Sequence, residues 1–134
     1  MQRIVVAISK VEFVKALKSL EVALGLMHKI DLQEAAVQKA LRDACIQRFE
    51  YCIELAWKVS MKVLGSTTLA AKPAVREMAR NNLIDNPDLW LEFIEARNET
   101  SHAYDEDVAA KVFANAVKFL SEAEKLLVNL ERSK

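Results

Sequence analysis

Apolar residues recur along this chain at three- and four-residue intervals with few interruptions, and those intervals predict helices. Phe13, Leu17, Leu20, Leu24 and Met27 alternate four and three, the seam of a bundle helix. Ser9-Lys10-Val11-Glu12 ahead of them reads as a capping box, so the first helix is expected to start there. Residues 1–8, with the β-branched run Ile4-Val5-Val6-Ala7-Ile8, are then a short strand or an extended arm. Asp31-Leu32-Gln33-Glu34 opens a second helix in the same style, and no breaker follows before Gly65. That helix should span about 33 residues and roughly 50 Å. Ile46, Phe49, Ile53 and Trp57 form one stripe on it, and Cys45, Cys52, Leu55, Val59 and Val63 cover an adjoining face.

Gly65 to Lys72 is a small, polar-leaning loop, the interior segment expected to be most mobile. Pro73 suits the first turn of a short third helix ending near Asn82. Asn86 caps a fourth, with Pro87 at its first position, and this helix should run to about Tyr104. Asp105, with Glu106 and Asp107, makes an acidic start for a fifth. Its stripe reads Ala109, Val112, Phe113, Ala116, Leu120, Ala123, Leu127 and Leu130. The pattern predicts one all-α domain over residues 1–134, an antiparallel up-and-down bundle of four to five helices.

One stripe changes character. Trp90, Phe93 and Ile94 mark the apolar face of the fourth helix, and at the same period the next positions are Arg97, Asn98, Ser101 and His102. Burying such groups is costly without partners. Either a polar network ties the fourth and fifth helices together here, or a site does, and composition alone favours the network.

Composition narrows the choice little. Lys plus Arg and Asp plus Glu number 19 each, so a broad electrostatic grip on nucleic acid is not expected, although a local basic pocket is compatible with that balance. Cys45 and Cys52 lie seven residues apart, about 10 Å along a helix, beyond disulfide reach. They read as buried thiols of a reducing compartment. There is no Cys/His cluster for zinc, no cofactor motif, and no apolar run long enough to span a membrane or serve as a signal peptide. A cytoplasmic protein is expected.

The residue types in the polar segment suit attack at a phosphodiester. A histidine takes a proton from a hydroxyl near neutral pH, and arginine offers a permanent two-pronged charge to phosphate oxygens. Asn98 or Ser101 would orient either group. Such a 2′-hydroxyl attack yields a cyclic phosphate and needs no metal. Tyr104 is a poor base, but its hydroxyl, if exposed, can accept a transferred group. Arg97 and His102 are five apart, about 140° around a regular helix, so helix distortion or a second copy is needed to join them. Pairing of Glu50 or Glu54 with Arg97 would strengthen the case for a site.

Arg97-x4-His102-x-Tyr104 resembles the R-x4-H-x-Y motif of HEPN-domain toxins. The block from Ile46 to Lys58 is similar to one signature of the nucleotidyltransferase substrate-binding protein family. Leu89-Trp90-Leu91-Glu92 followed by Arg97 to Glu106 is similar to its second. The resemblance covers roughly residues 10 to 130. The departures are the apolar N-terminus and Lys72, where a small polar residue is usual. The resemblance implies a homodimeric HEPN-like bundle with both motifs at the dimer groove, encoded beside a minimal nucleotidyltransferase. Two roles go with it. In one, the protein is a metal-independent ribonuclease toxin acting on RNA, with Arg97 and His102 catalytic, and its partner is an antitoxin that silences it by transferring AMP to Tyr104. In the other, the bundle is a non-catalytic substrate-binding subunit of the nucleotidyltransferase.

Overall fold

The computed structural model describes residues 2–29 and 34–133, with side chains from residue 9 onward. Its elements are α1 (Gln2–Lys29), α2 (Ala35–Leu64), α3 (Ala71–Arg80), α4 (Pro87–Asn98), a short 3₁₀ turn (Thr100–His102) and α5 (Glu106–Arg132). The expected all-α architecture is what forms.

Directions follow from who meets whom. Ser9 meets Lys62 and Ser19 meets Arg48, so α1 and α2 are antiparallel. Arg42 meets Glu106 and Phe49 meets Phe119, so α2 and α5 run parallel. Arg97 meets Glu54 while Thr100 meets Glu50, so the chain of α4 descends α2. Thus α1, α2, α4 and α5 alternate as an up-and-down bundle, and α3 is a short insertion between the second and third of them.

The core is continuous across all five helices. Its centre is a ring cluster around Phe119, which meets Phe49, Trp90 and Phe93 edge-on at centroid distances of 5.3, 5.6 and 5.4 Å. Edge-to-face geometry sets the positive rim of one ring against the negative face of the next.

Several expectations are corrected here. α1 does not start at Ser9: the helix runs through the β-branched segment, and no arm or strand forms. Val and Ile lower helix propensity only by fractions of a kcal/mol per residue, and nothing between Gln2 and Ser9 breaks the hydrogen-bond ladder. Ser9 is instead a buried mid-helix residue whose hydroxyl accepts from Lys62 Nζ at 2.9 Å. At the start of α2, Asp31 to Gln33 lie outside the described residues, and Glu34 takes the cap position without a side-chain bond. In α5 the fully buried stripe is Ala109, Val112, Ala116, Phe119, Ala123, Leu126 and Leu130. Phe113, Leu120 and Leu127 flank it, half-covered, because helix periodicity alone leaves its centre line ambiguous when apolar residues fill two adjacent faces. The loop after Gly65, expected to be mobile, is hydrogen-bonded in place. Ser66 and Thr68 hydroxyls donate to the two oxygens of Glu77 at 2.6 and 3.0 Å, which lowers that carboxyl's pKa.

Candidate functional site

α4 begins as its sequence dictates, with the Asn86 side chain accepting from Leu89 N–H and Pro87 in the first turn. It ends earlier than expected, at Asn98, and the chain tightens into a 3₁₀ turn instead of continuing to Tyr104. The Thr100 hydroxyl lies 2.8 Å from Arg97 O and also faces the Glu50 carboxylate, two acceptors that compete for its single proton. Asp105 then accepts from Asp107 and Val108 N–H and starts α5 at once. The angular relation reckoned for a continuous helix therefore does not apply beyond Asn98.

Arg97 turns toward α2. Its Nε donates to Glu54 Oε1 at 3.0 Å, and its Nη1 lies 3.5 Å from Glu50 Oε2. Glu50 is also within hydrogen-bond reach of the Thr100 hydroxyl, and Glu54 faces Lys58 at 3.4 Å. The guanidinium is held by two carboxylates from successive turns of one helix, and all three side chains are 28 to 38% exposed. Nη2 has no hydrogen-bond partner among the described residues, so its two donors are not committed within the chain.

The other sequence-nominated residues stand apart from this network. Asn98, Ser101, His102 and Tyr104 are not buried, so the expected burial of the polar stripe holds only in part, for Arg97. For Ser101, His102 and Tyr104 the early end of α4 is the cause, since it carries them off the core-facing stripe, whereas Asn98 is exposed within the helix itself. No hydrogen bond joins Arg97 to His102 among the described residues. His102 instead has Tyr104 beside it, ring centroids 6.1 Å apart and tilted by 66°. Tyr104 is 80% exposed, its ring and hydroxyl open to solvent. One chain thus presents a positioned arginine, an accessible imidazole and an accessible phenol on one stretch of surface. Arg97 is suited to holding an anion, His102 to moving a proton, and Tyr104 to accepting a group at its oxygen.

Thr100 belongs to this constellation and was missed by sequence reasoning. A threonine within a helical pattern carries no signal of its own until Glu50, fifty positions away, comes to meet it. Neither Arg97, His102 nor Tyr104 lines either of two clefts formed by the described residues. One, of about 670 Å³, runs past Leu83, Trp90 and Leu126, and the other, of about 510 Å³, lies between α1 and α2. The two cysteines are buried free thiols, and burial pushes Cys52 up to about 12. Among the described residues no three His, Cys, Asp or Glu groups are placed to hold a metal ion, and no helix is long and apolar enough to cross a membrane.

Comparison with known proteins gives three consistent findings. A family model described as nucleotidyltransferase substrate binding protein like matches residues 10–132. A protein from Haemophilus influenzae named probable ribonuclease HepT is 33% identical over 110 residues, covering 76% of this chain and 75% of its own. Among solved structures, one from Haemophilus influenzae superposes with a TM-score of 0.82 at 30% identity, covering 91% of this chain and 98% of that one. It is described as revealing the fold of a substrate binding domain of a nucleotidyltransferase. A second, from Thermus thermophilus, superposes at 0.72 with 28% identity, covering 87% of this chain and 99% of its own.

Proposed function

This chain belongs to the nucleotidyltransferase substrate-binding-like family, and from that premise we propose that it is a HEPN ribonuclease toxin, silenced by a partner nucleotidyltransferase that transfers AMP to Tyr104. The observation that carries this reading is the contrast within the motif. Arg97 is oriented by Glu50 and Glu54 with Nη2 uncommitted within the chain, whereas His102 and Tyr104 are presented to solvent. A buried structural network would satisfy all of them. The probable-ribonuclease relative supports the reaction class.

In the mechanism, Arg97 Nη2 holds a non-bridging phosphate oxygen. His102 takes the proton of the adjacent 2′-hydroxyl, whose oxygen attacks phosphorus and closes a cyclic phosphate while the 5′-oxygen leaves. Asn98 and Ser101 orient the ribose and phosphate. A second copy of the chain, related by a two-fold axis, brings the other His102 as the acid for the leaving oxygen. Glu50, Glu54 and Thr100 act through Arg97 as positioning residues. AMP on Tyr104 places a phosphate charge beside His102 and within reach of the Arg97 guanidinium, in the position the RNA backbone takes. That blocks RNA without unfolding the bundle. The protein works in the cytosol under this reading.

A second reading keeps the bundle as a non-catalytic substrate-binding subunit of the nucleotidyltransferase. The solved Haemophilus relative, described in those terms, and the two carboxylates already neutralising Arg97 favour it. One experiment separates the two. The purified protein is incubated with its nucleotidyltransferase, ATP and magnesium, and its peptides are weighed by mass spectrometry, alongside growth assays of cells expressing it alone. The toxin reading expects growth arrest that His102→Ala abolishes, an AMP mass on the Tyr104 peptide, and escape of Tyr104→Phe from silencing. Absence of AMP on Tyr104, or equal silencing of Tyr104→Phe, removes the antitoxin mechanism and puts the binding subunit first.

A further inference from the structure

The cleft of about 510 Å³ between α1 and α2 plays no part in the chemistry above, yet it is built from binding residues: Lys15 and Ser19 of α1 with Gln47, Arg48 and Tyr51 of α2, edged by Glu12. We propose that it is a subsite for one nucleotide of single-stranded RNA, with Lys15 and Arg48 on the phosphate and Tyr51 as the platform for the base. This rests on the ribonuclease reading.

Charge is the first argument. The chain has no net charge, and many of its cations have carboxylate partners within 4.0 Å, among them Arg42, Lys58, Lys72, Arg97 and Lys125. Arg48 and Lys15 are among the cations that no carboxylate pairs with among the described residues, and the cleft brings these two together. Arg48 is instead positioned by neutral acceptors: Nε donates to Ser19 Oγ at 2.9 Å and Nη1 to Ala44 O at 3.3 Å. Those bonds fix the plane of the guanidinium between the two helices and cancel none of its charge. Nη2 remains unclaimed among the described residues. The cleft therefore holds two cations against one carboxylate, a local anion site on a neutral protein.

Tyr51 is the second argument. It is 57% exposed, a large ring turned to water beside those cations. An exposed aromatic next to phosphate-binding cations is the arrangement that holds single-stranded RNA, because every base offers a face to stack on. The hydroxyl of Ser19, which accepts from Arg48, keeps its own proton to donate, and the Gln47 amide offers both donors and acceptors to a base edge or a 2′-hydroxyl.

Position is the third. Tyr51 and Glu54 are three residues apart on α2, about 4.5 Å along its axis and on neighbouring faces. Glu54 holds Arg97. A strand seated on Tyr51 therefore passes onto the Arg97 surface within one helical turn, and the cleft takes the nucleotide next to the scissile phosphate.

The test is equilibrium binding of a fluorescent oligouridylate of about eight nucleotides to the full-length protein, followed by its cleavage. Lys15→Glu and Tyr51→Ala should each weaken binding about tenfold, and Tyr51→Phe should stay within about twofold of wild type. Lys15→Gln should lower the slope of log affinity against log salt by about 0.7, a change that a merely structural role would not produce. KM should rise in the cleft variants while kcat stays, since the proton-moving group is elsewhere. Both positions are exposed, and circular dichroism confirms folding of the variants. If wild type binds RNA and the Lys15 and Tyr51 variants bind it equally well, the subsite is wrong and the ribonuclease reading stands. If wild type binds no RNA, both fall. If the variants lose only the complex with the nucleotidyltransferase, the cleft is a partner surface and the proposal is overturned.

Discussion

Arg97 and His102 sit five residues apart in one motif, but they answer to different physics. Arg97 is a third exposed and held by Glu50 and Glu54, so its removal leaves two carboxylates facing each other without their common cation. Arg97→Ala should cost about 1 kcal/mol of stability, the upper end for partly solvated ion pairs, read as a shift in the urea midpoint. His102 is exposed, and His102→Ala should change stability by no more than about 0.5 kcal/mol. His102 is therefore the clean probe of chemistry, whereas loss of activity in Arg97→Ala mixes two effects. A different residue contributes to stability against acid. Glu106, held by Arg42 and Lys39, has its pKa lowered from 4.5 to about 2. A carboxyl with a depressed folded pKa stabilises above its unfolded value, and that contribution disappears as pH falls through the folded one. Melting curves taken as pH falls from about 4.5 to about 2 should thus show Glu106→Gln losing less stability than wild type. Added salt should narrow the difference, because Glu106 is 62% exposed.

At the scale of elements, α4 is held at both ends and through its middle. Asn86 caps its start, Trp90 and Phe93 join the rings around Phe119, and Arg97 ties its last turn to α2. Phe119 is fully buried at that junction. Phe119→Ala should cost about 3–5 kcal/mol, through lost burial and an unfilled space between three rings. It should also loosen the motif surface, which hydrogen exchange of the Arg97 to Ala103 amides would detect as lost protection. No such loosening alongside a full loss of stability would mean that α4 is positioned by its caps and ion pairs rather than by the ring cluster.

The whole molecule leaves apolar side chains uncovered on α5, Val117 and Val128. Ser101, His102 and Tyr104 of the motif are exposed, outside the two clefts described above. Both features fit a chain that completes its site against a second copy. Sedimentation at tens of micromolar is expected to show a dimer burying more than about 1,000 Å². A monomer under those conditions would remove the composite site, and with it the assignment of a second His102 as the acid.

Helices one to five were legible because each depends on neighbours three and four residues away, and side-chain periodicity records that directly. Caps at Asn86 and Asp105 were legible for the same reason, since the bonded groups are within three residues. The motif residues, too, could be nominated from their types and spacing. What only the tertiary structure decided is every relation that crosses between helices. The bond from Lys62 turned Ser9 from an expected cap into a buried mid-helix group. Phe119 became the centre of the core because α2 and α4 bring rings to it, whereas the α5 sequence offered two equally apolar faces. Arg97 faces Glu50 and Glu54 because α4 descends α2 in a register that neither helix encodes by itself. A one-dimensional pattern fixes which face of a helix is apolar, but the bundle's packing decides what that face meets, and here it separated the positioned arginine from the exposed histidine and tyrosine.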